Sequence, residues 1–365
     1  MWISQLQLTN FRNYARLQLQ PDAGLCVLTG DNAAGKTNVL ESIFLCALGR
    51  SHRTTRDAEL IREAQQFGVV QLSLHTRGGT RSITCKLMPG ERKRLLIDGA
   101  SLSRSGELLG CLNVVMFAPE DLMLVKGGPA ERRRFLDMEI SQLKPAYYYT
   151  LQQYNAALKQ RNALLKDEAS VGAGLLEPWD EQLSRLGAAI TVERAVFLEE
   201  LSQIAANVHL KLSGSRETLL LSYQPNLPGV EPDRLAAVMR ERLFENTERD
   251  VYRGSTSVGP HRDDVMMVLD GSDVRVYGSQ GQQRTAVLSL KLSELEIIKK
   301  LRGEAPVLLL DDVFSELDKR RQRMLLEAVQ GCQTFITCTH LEELTAAGAL
   351  QMQVYSVSNG SVIEV

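Results

Sequence analysis

A glycine-bounded turn near the N-terminus has the residue types and the spacing to bind phosphate. It matches the pattern G-x-x-x-x-G-K-[ST] at every position, with the residues Gly30, Asp31, Asn32, Ala33, Ala34, Gly35, Lys36 and Thr37. A strand pattern at 25–28 precedes the turn and a helical pattern at 38–48 follows it, which is the context that a phosphate loop requires. We expect its backbone amides to face nucleotide phosphates, Lys36 to reach the β- and γ-phosphates, and the Thr37 hydroxyl to bind Mg²⁺. The alternative is a strand-to-helix turn that carries Lys and Thr by chance.

Two adjacent carboxylates follow a continuous apolar run late in the chain. Residues 306–310 predict a buried parallel strand, and Asp311 and Asp312 lie at its end. In nucleotide hydrolysis one such acid supports Mg²⁺ and its neighbour addresses the attacking water. We therefore expect Asp311 on the metal side and Asp312, with Lys36, in the catalytic role. A strand that merely ends in two solvated acids is the alternative, and the phosphate loop weighs against it.

A turn of serine, glycine and glutamine at 278–283 opens a predicted amphipathic helix at 283–301. Ser279, the Gly281 backbone and Gln282 lie at the helix N-terminus, where anions bind favourably. This turn is a candidate for a second phosphate contact, although a plain N-cap explains it equally well in isolation. His340, after a strand pattern at 334–337, is a further candidate against an equal alternative, a surface turn residue.

The positions of these motifs predict an α/β fold with a helical second lobe. Period-two patterns typical of strands recur through the first third of the chain, at 3–8, 15–19, 25–28, 69–75, 81–87 and 94–97. Helical periodicity extends from about 129 to 253, and 171–178, with two glycines and a proline, is a suitable connection for a helical hairpin. Both a short hairpin arm and an ordinary helical subdomain are consistent with this pattern. We expect an N-terminal ATPase part at 1–125, a helical lobe or arm at 126–254, and a C-terminal ATPase part at 255–365.

Composition bounds the partners and the compartment. The 365 residues are 44% hydrophobic, and 42 basic against 44 acidic residues give a net charge of −2, so nucleic-acid binding would need local basic clusters. The 6 cysteines show no close pair of zinc-ligand spacing and are expected to be reduced core thiols. No apolar stretch approaches the length of a membrane span, so we expect a cytoplasmic protein with no membrane partner.

The motifs together resemble those of ABC-type ATPases, and the insertion between them narrows the resemblance. The 278–283 turn resembles the ABC signature motif, and 315–318 resembles the D-loop. The long helical insertion between Lys36 and Asp311 is similar to that of SMC heads, but it is too short for a long coiled coil. The chain also resembles the RecF family over essentially its whole length, in a series of segments at 8–14, 38–43, 49–53, 117–122, 126–137, 158–162 and 257–264.

This resemblance implies an ABC/SMC-like ATPase head that dimerises face to face on ATP. Each signature turn would then contact the γ-phosphate held by the partner's phosphate loop. It implies a weak, DNA-dependent ATPase that binds single-strand gap regions with RecR and RecO, assists RecA loading, and supports repair, replication restart and SOS induction. It also implies that Arg12 contacts nucleotide phosphate. Asp312 is one methylene shorter than the glutamate common at this place in ABC ATPases, which predicts slow hydrolysis.

Clusters of basic residues are the candidates for DNA contacts. They give affinity without reading sequence, and their binding weakens steeply with salt. For any one cluster a solvated helix face is the more common explanation, and three successive residues cannot share one helix face. The candidates are Arg50, His52, Arg53 and Arg56 after the phosphate-loop helix, Arg132, Arg133 and Arg134, and Lys159, Arg161 and Lys166.

Three other classes of protein share part of this pattern. A transporter ATPase does not need so large a helical insertion. A small-substrate kinase has no use for a signature turn. A structural protein that no longer binds nucleotide would not need Lys36, Thr37, Asp311 and Asp312 together.

Overall fold

The computed structural model describes residues 1–167, 174–349 and 351–365, and these form two compact units. Unit 1 combines Met1–Asp121 with Lys291–Val365, and unit 2 is Leu122–Leu290. Part of the predicted hairpin connection at 171–178 lies outside the described residues. Among the described helices, none combines the length and the apolar character needed to cross a bilayer.

The N-terminal part of unit 1 is rich in strands, as the period-two patterns predict. Its elements are β1 (Trp2–Phe11), β2 (Tyr14–Leu19), β3 (Leu25–Thr29), α1 (Lys36–Leu48), β4 (Gly68–Thr76), β5 (Gly79–Leu87), β6 (Arg94–Ile97), β7 (Ala100–Ser101) and β8 (Val114–Phe117). Helix α1 ends at Gly49, whose left-handed backbone (φ 67°) lets its N–H donate to the Leu45 carbonyl.

Unit 2 is mainly helical, with a small sheet. Its elements are α2 (Met123–Lys126), α3 (Pro129–Leu143), α4 (Pro145–Leu164), α5 (Glu177–Ser213), β9 (Leu219–Gln224), α6 (Leu235–Glu245), α7 (Thr247–Arg253), β10 (Asp264–Leu269), β11 (Ser272–Asp273) and α8 (Val274–Tyr277). Helix α9 (Gln280–Arg302) begins in this unit, three residues earlier than its periodicity predicts, and continues into unit 1.

The C-terminal part of unit 1 alternates strands and helices. Its elements are β12 (Val307–Asp311), α10 (Lys319–Ala328), β13 (Thr334–Cys338), α11 (Leu341–Ala347), β14 (Gln353–Ser358) and β15 (Ser361–Glu364). The buried run Val307–Asp311 is the parallel strand that the sequence predicts.

Two six-stranded sheets form unit 1, and one of them positions the motifs. The first sheet has the order β2-β1-β4-β5-β6-β7 and is antiparallel. The second has the order β15-β14-β3-β13-β12-β8, and its strands from β14 to β8 are parallel. Because parallel strands end at the same sheet edge, the loop after β3 and the acids after β12 lie at one edge, on either side of β13.

Unit 2 differs from the sequence prediction in two respects. Strand β9 lies inside the stretch predicted as helical and pairs antiparallel with β10 in the sheet β11-β10-β9. This pairing places 255–290 in unit 2, whereas the predicted boundary at 254/255 assigned that segment to the ATPase part. Helices α4 and α5 bury apolar side chains, including Tyr154, Leu186 and Leu201, within unit 2.

Candidate nucleotide-binding site

The phosphate loop requires glycine at both of its ends. Gly30 has φ +152°, and a Cβ there would lie 2.2 Å from the Val357 carbonyl oxygen. Gly35 has φ +116°, and its Cβ would lie 2.4 Å from Asn13 Nδ2 and 2.9 Å from Tyr14 Oη. Any side chain at either position would therefore displace the neighbouring backbone or the polar groups that hold the loop.

The turn between β1 and β2 holds the loop from its outer side. Tyr14 Oη donates to the Gly35 carbonyl at 3.0 Å, and Asn13 Nδ2 donates to the Ala34 carbonyl at 2.9 Å. Asn38 at the start of α1 in turn donates to Asn13 Oδ1 at 2.8 Å. The pattern of the loop itself gives no sign of these supports. They lie in segment 8–14, which the sequence marks only through the family resemblance.

Lys36 extends across the concave side of the loop. Its Nζ donates to the Gly30 carbonyl at 2.5 Å and to the Asp31 carbonyl at 3.0 Å, and the residue is 8% exposed. An ammonium group at this position can neutralise the charge of a polyphosphate bound at the loop.

The two acidic candidates have different environments at the end of β12. Asp311 is 8% exposed, and its Oδ1 accepts hydrogen bonds from Thr37 Oγ1 and Thr337 Oγ1, each at 2.8 Å. Asp312 is exposed, with a left-handed backbone (φ 51°), and its N–H donates to Thr337 Oγ1 at 2.9 Å. The sheet therefore brings Thr37 and Asp311 together, as the sequence predicts, and leaves the Asp312 carboxylate facing solvent.

The Thr37 and Asp311 oxygens suit a magnesium ion. A hydroxyl and a carboxylate are the hard oxygen ligands that Mg²⁺ prefers, and Mg²⁺ usually binds few protein ligands and keeps the rest for water and phosphate. One direct ligand and one acid bound through water would satisfy this pattern. Together with the glycine-bounded cradle and Lys36, these donors fit a Mg²⁺–nucleotide complex.

A buried carboxylate behind the loop binds Arg12. Glu41 on α1 is fully buried and accepts from Arg12 Nε at 2.8 Å, from Arg12 Nη2 at 2.7 Å, and from Ser51 Oγ at 2.5 Å. Arg12 Nη1 donates to the Glu59 carbonyl at 2.8 Å. Arg12 has a left-handed backbone (φ 51°), which is uncommon for a residue other than glycine, in the turn between β1 and β2.

The signature turn, residues 278–283, belongs to unit 2, and two hydrogen bonds join Ser279 and Gln282 within it. Gln282 N–H donates to Ser279 Oγ at 3.3 Å, and Ser279 N–H donates to Gln282 Oε1 at 2.9 Å, which is a reciprocal capping box. Ser279 and Gly281 are exposed, and nothing lies within 4 Å of a Cβ built on Gly281. The turn thus presents a hydroxyl and a helix N-terminus to solvent, which is compatible with both the anion site and the plain N-cap.

Comparison with known proteins identifies the family. The sequence matches the RecF/RecN/SMC N terminal domain over residues 2–362. The chain belongs to the RecF family. It is 45% identical to the DNA replication and repair protein RecF of Alkaliphilus oremlandii, over 99% of this chain and 100% of that protein. It is 42% identical to the protein of the same name from Clostridium acetobutylicum, over the full length of both.

Solved structures agree on the fold. The chain is similar to a structure described as the recombination mediator protein RecF-ATP in RecFOR pathway, with a TM-score of 0.93, 36% identity, and coverage of 100% of this chain and 97% of the other. An SMC head bound to the C-winged helix domain of ScpA is similar in fold alone, with a TM-score of 0.58 and 16% identity. The ABC/SMC-like ATPase fold predicted from the sequence is therefore confirmed.

The basic candidates of this RecF-family chain divide into exposed and buried groups. Arg53 and Arg56 are exposed and Arg50 is half-buried. Burial lowers the pKa of His52, whose ring packs edge-on against Phe44, so this histidine is neutral at physiological pH and is a poor phosphate contact.

Two arginines proposed as DNA contacts are structural, and the prediction for them is wrong. Arg161 is fully buried and donates to Asp180 Oδ1 at 2.5 Å and to Asp250 Oδ2 at 2.7 Å. Arg132 is 5% exposed and forms a bidentate pair with Asp264, at 2.7 and 2.9 Å. Both guanidinium groups are neutralised inside unit 2, so neither can reach a DNA backbone.

Arg133 is half-buried and its Nη1 donates to the Asp263 carbonyl at 2.6 Å. The sequence gives no role to the segment 261–264, and in the structure Asp263 of this segment accepts several hydrogen bonds from other elements. Asp263 is 1% exposed and accepts from Tyr223 Oη, from the Asn226 N–H at 2.7 Å, and from Arg194 Nη1 at 3.3 Å. The segment therefore fixes α3, α5 and β9 within unit 2.

His340 is exposed at the N-cap of α11, where its role stays a prediction.

Proposed function

We propose that the chain is an ATP-dependent, DNA-binding recombination mediator that acts in the repair of single-strand gaps, in replication restart and in SOS induction. The observation that carries the ATP part is the 2.8 Å hydrogen bond from Thr37 to Asp311, which joins the phosphate loop to the acidic strand end. The relatives named RecF, and the RecF–ATP structure described within the RecFOR pathway, support the rest.

In this proposal the residues of the loop bind Mg²⁺–ATP and control its hydrolysis. Residues 30–37 surround the phosphates, Lys36 neutralises the β- and γ-phosphates, and Thr37 and Asp311 hold the metal. Mg²⁺ supplies charge neutralisation on the phosphate oxygens. Asp312 accepts a proton from the attacking water. Its short side chain must reach from a solvent-facing position, so we expect weak ATPase activity. The family resemblance adds the expectation that this activity depends on DNA and regulates binding.

In the ATP-bound dimer, the signature turn binds the nucleotide of the second copy. Ser279, Gly281 and Gln282 of one copy contact the γ-phosphate held by the other copy, and Arg12 contacts phosphate within its own loop. Exposure of Ser279 and Gly281 supports this arrangement, because a residue that binds the nucleotide of a second copy must be accessible in the single chain.

The remaining parts of the proposal concern location and partners. The dimer acts in the cytoplasm on DNA that contains single-strand gaps, with RecR and RecO as partners in placing RecA. Exposed Arg53 and Arg56, with half-buried Arg50, and Arg133 at its lower exposure, are the remaining candidates for backbone contacts.

Molar mass in solution tests the central claim. Light scattering is measured for the natural chain, Lys36→Met and the matched surface variant Lys86→Met, each with and without ATP and Mg²⁺. We expect ATP to double the mass of the natural chain and of Lys86→Met, while Lys36→Met remains a monomer. ATP binding without any change in mass, with or without gapped DNA, would exclude the dimer mechanism.

A further inference from the structure

The turn between α5 and β9 contacts the signature turn through one carboxylate. Glu217 Oε1 accepts a hydrogen bond from Gln282 Nε2 at 2.9 Å. Ser213 Oγ, at the end of α5, accepts the Glu217 N–H at 3.3 Å and so holds the backbone of Glu217 in place. Glu217 is therefore anchored to the 37-residue helix α5 on one side and to the signature turn on the other.

Gln282 uses both ends of its side-chain amide. Its Nε2 donates to Glu217, and its Oε1 accepts the Ser279 N–H at 2.9 Å. Without an acceptor for Nε2, the Gln282 side chain could rotate, and the Ser279 amide would lose its partner. The hydrogen bond that Gln282 donates to Glu217 thus orients Gln282, and Gln282 in turn orients Ser279.

Buried hydrogen bonds also connect helix α5 to helix α9. Glu217 Oε2 lies 3.4 Å from Nε2 of His209, which is fully buried on α5. His209 Nδ1 contacts Ser289 Oγ at 2.9 Å, Ser289 Oγ donates to the Thr285 carbonyl at 2.7 Å, and Thr285 Oγ1 donates to the Gly281 carbonyl at 2.7 Å. Hydrogen bonds therefore connect His209 on α5 to the first turns of α9, and Glu217 lies beside His209.

We propose that Glu217 is the positioning residue of the signature turn and couples it to the end of helix α5. The inference rests on the proposed ATP-driven dimer, in which Ser279 contacts a γ-phosphate. Glu217 does not touch phosphate itself; its carboxylate would repel it. It fixes the Ser279 hydroxyl and amide before the second copy arrives, so that less conformational freedom is lost on binding.

Two measurements on the full-length chain test the inference. The first is hydrogen exchange of segment 278–283 in the absence of nucleotide, which reports directly on how firmly the turn is held. The second is the dissociation constant of the ATP-bound dimer, measured by light scattering over a concentration series with ATP and Mg²⁺. The variants are Glu217→Ala, Glu217→Gln, Gln282→Ala, the double variant Glu217→Ala/Gln282→Ala, and the exposed neighbour Arg216→Ala as the matched control.

We expect Glu217→Ala to raise both the exchange rate and the dimer dissociation constant by at least about tenfold, since a hydrogen bond to a charged group is lost in each of two copies. Glu217→Gln retains an acceptor oxygen for Gln282 and should stay within about threefold of the natural chain. The double variant should be no weaker than Gln282→Ala, because both changes remove the same contact. ATP affinity of the monomer should not change in Glu217→Ala or in Glu217→Gln.

The outcomes separate the inference from the function on which it rests. Unchanged exchange and dimerisation in Glu217→Ala, or losses that add in the double variant, would overturn the positioning role while the dimer stands. If the natural chain never dimerises, the ATP-sandwich function fails, and the exchange data still decide whether Glu217 orders the turn.

Discussion

Replacement of Glu41 by glutamine tests how much the buried Glu41–Arg12 ion pair behind the phosphate loop stabilises unit 1. Glu41 is fully buried, and its two oxygens accept from Arg12 Nε, Arg12 Nη2 and Ser51 Oγ. Glutamine has the same shape but keeps only one acceptor oxygen, and its NH₂ group would face the Arg12 guanidinium. The variant therefore removes the charge with little change in volume.

The expected loss follows from the type of contact. Breaking a buried ion pair costs about 3–5 kcal/mol, and one hydrogen bond to a charged group contributes about 1.5–3 kcal/mol. The Arg12 side chain is 19% exposed, so water can compensate it in part. The acceptor oxygen that glutamine retains reduces the loss further. We therefore expect Glu41→Gln to lower the free energy of unfolding of unit 1 by about 2–3 kcal/mol at neutral pH.

The loss should depend on pH in a defined direction. Burial raises the pKa of Glu41, but the hydrogen bonds from Arg12 and Ser51 outweigh burial and lower the pKa below its ordinary value of 4.5. A carboxyl whose pKa is lowered by folding stabilises the folded state above that ordinary value and loses the contribution as pH falls through the folded pKa. The difference between the natural chain and Glu41→Gln should therefore shrink as the pH falls below 4.5.

Urea unfolding followed by the fluorescence of a single tryptophan measures this difference. Of the 2 tryptophans, Trp2 lies on β1 in unit 1, so the Trp179→Phe background restricts the signal to unit 1. Exposed Glu63→Gln is the matched control and should change nothing. A loss below about 0.5 kcal/mol at neutral pH, the range of ordinary surface substitutions, or a loss that is the same at all pH values, would refute the reasoning.

Three further substitutions have expected outcomes. Gly35→Ala places a Cβ 2.4 Å from Asn13 Nδ2 at a φ of +116°, so it should abolish ATP binding in a nucleotide titration, and cost about 1–3 kcal/mol in urea unfolding. Arg161→Ala leaves Asp180 and Asp250 without their buried cation and should destabilise unit 2 by about 3–5 kcal/mol. The DNA affinity of the folded protein should not change. Weaker DNA binding at full stability would restore Arg161 as a DNA contact. Arg56→Ala should reduce the salt dependence of DNA binding by about one counterion in log–log titrations, and an unchanged slope would remove Arg56 from the interface.

The parts of the fold that the sequence predicted are those specified by short-range pattern. The strand before residues 30–37 and the helix after it need only a few neighbouring residues to be recognised. The same holds for Val307–Asp311, where an apolar run and two acids lie side by side. The two motifs predict that Thr37 and Asp311 both serve the metal, and the sheet explains their meeting, because parallel strands end at the same sheet edge.

The parts that the sequence did not predict depend on partners far along the chain. Strand β9 lies in a helical region, and its pairing with β10 is what makes it a strand. Arg161 and Arg132 resemble exposed basic residues because their partners Asp250 and Asp264 are distant in sequence. Charge in a sequence window therefore cannot separate a DNA contact from a buried ion pair.

Segments from the N-terminal and the C-terminal parts of the chain both hold the phosphate loop in place, so substitutions far from the loop in sequence can impair ATP binding. Asn13 and Tyr14 hold the loop from the N-terminal side, while the Val357 carbonyl limits Gly30 from the C-terminal strand β14. Thr337 binds both Asp311 Oδ1 and the Asp312 N–H, so one hydroxyl orients the two acids. A substitution at Asn13 or Thr337 would therefore impair nucleotide binding although neither residue belongs to a phosphate-binding pattern. Such residues are recognisable only after the sheet has brought β3, β13 and β12 together.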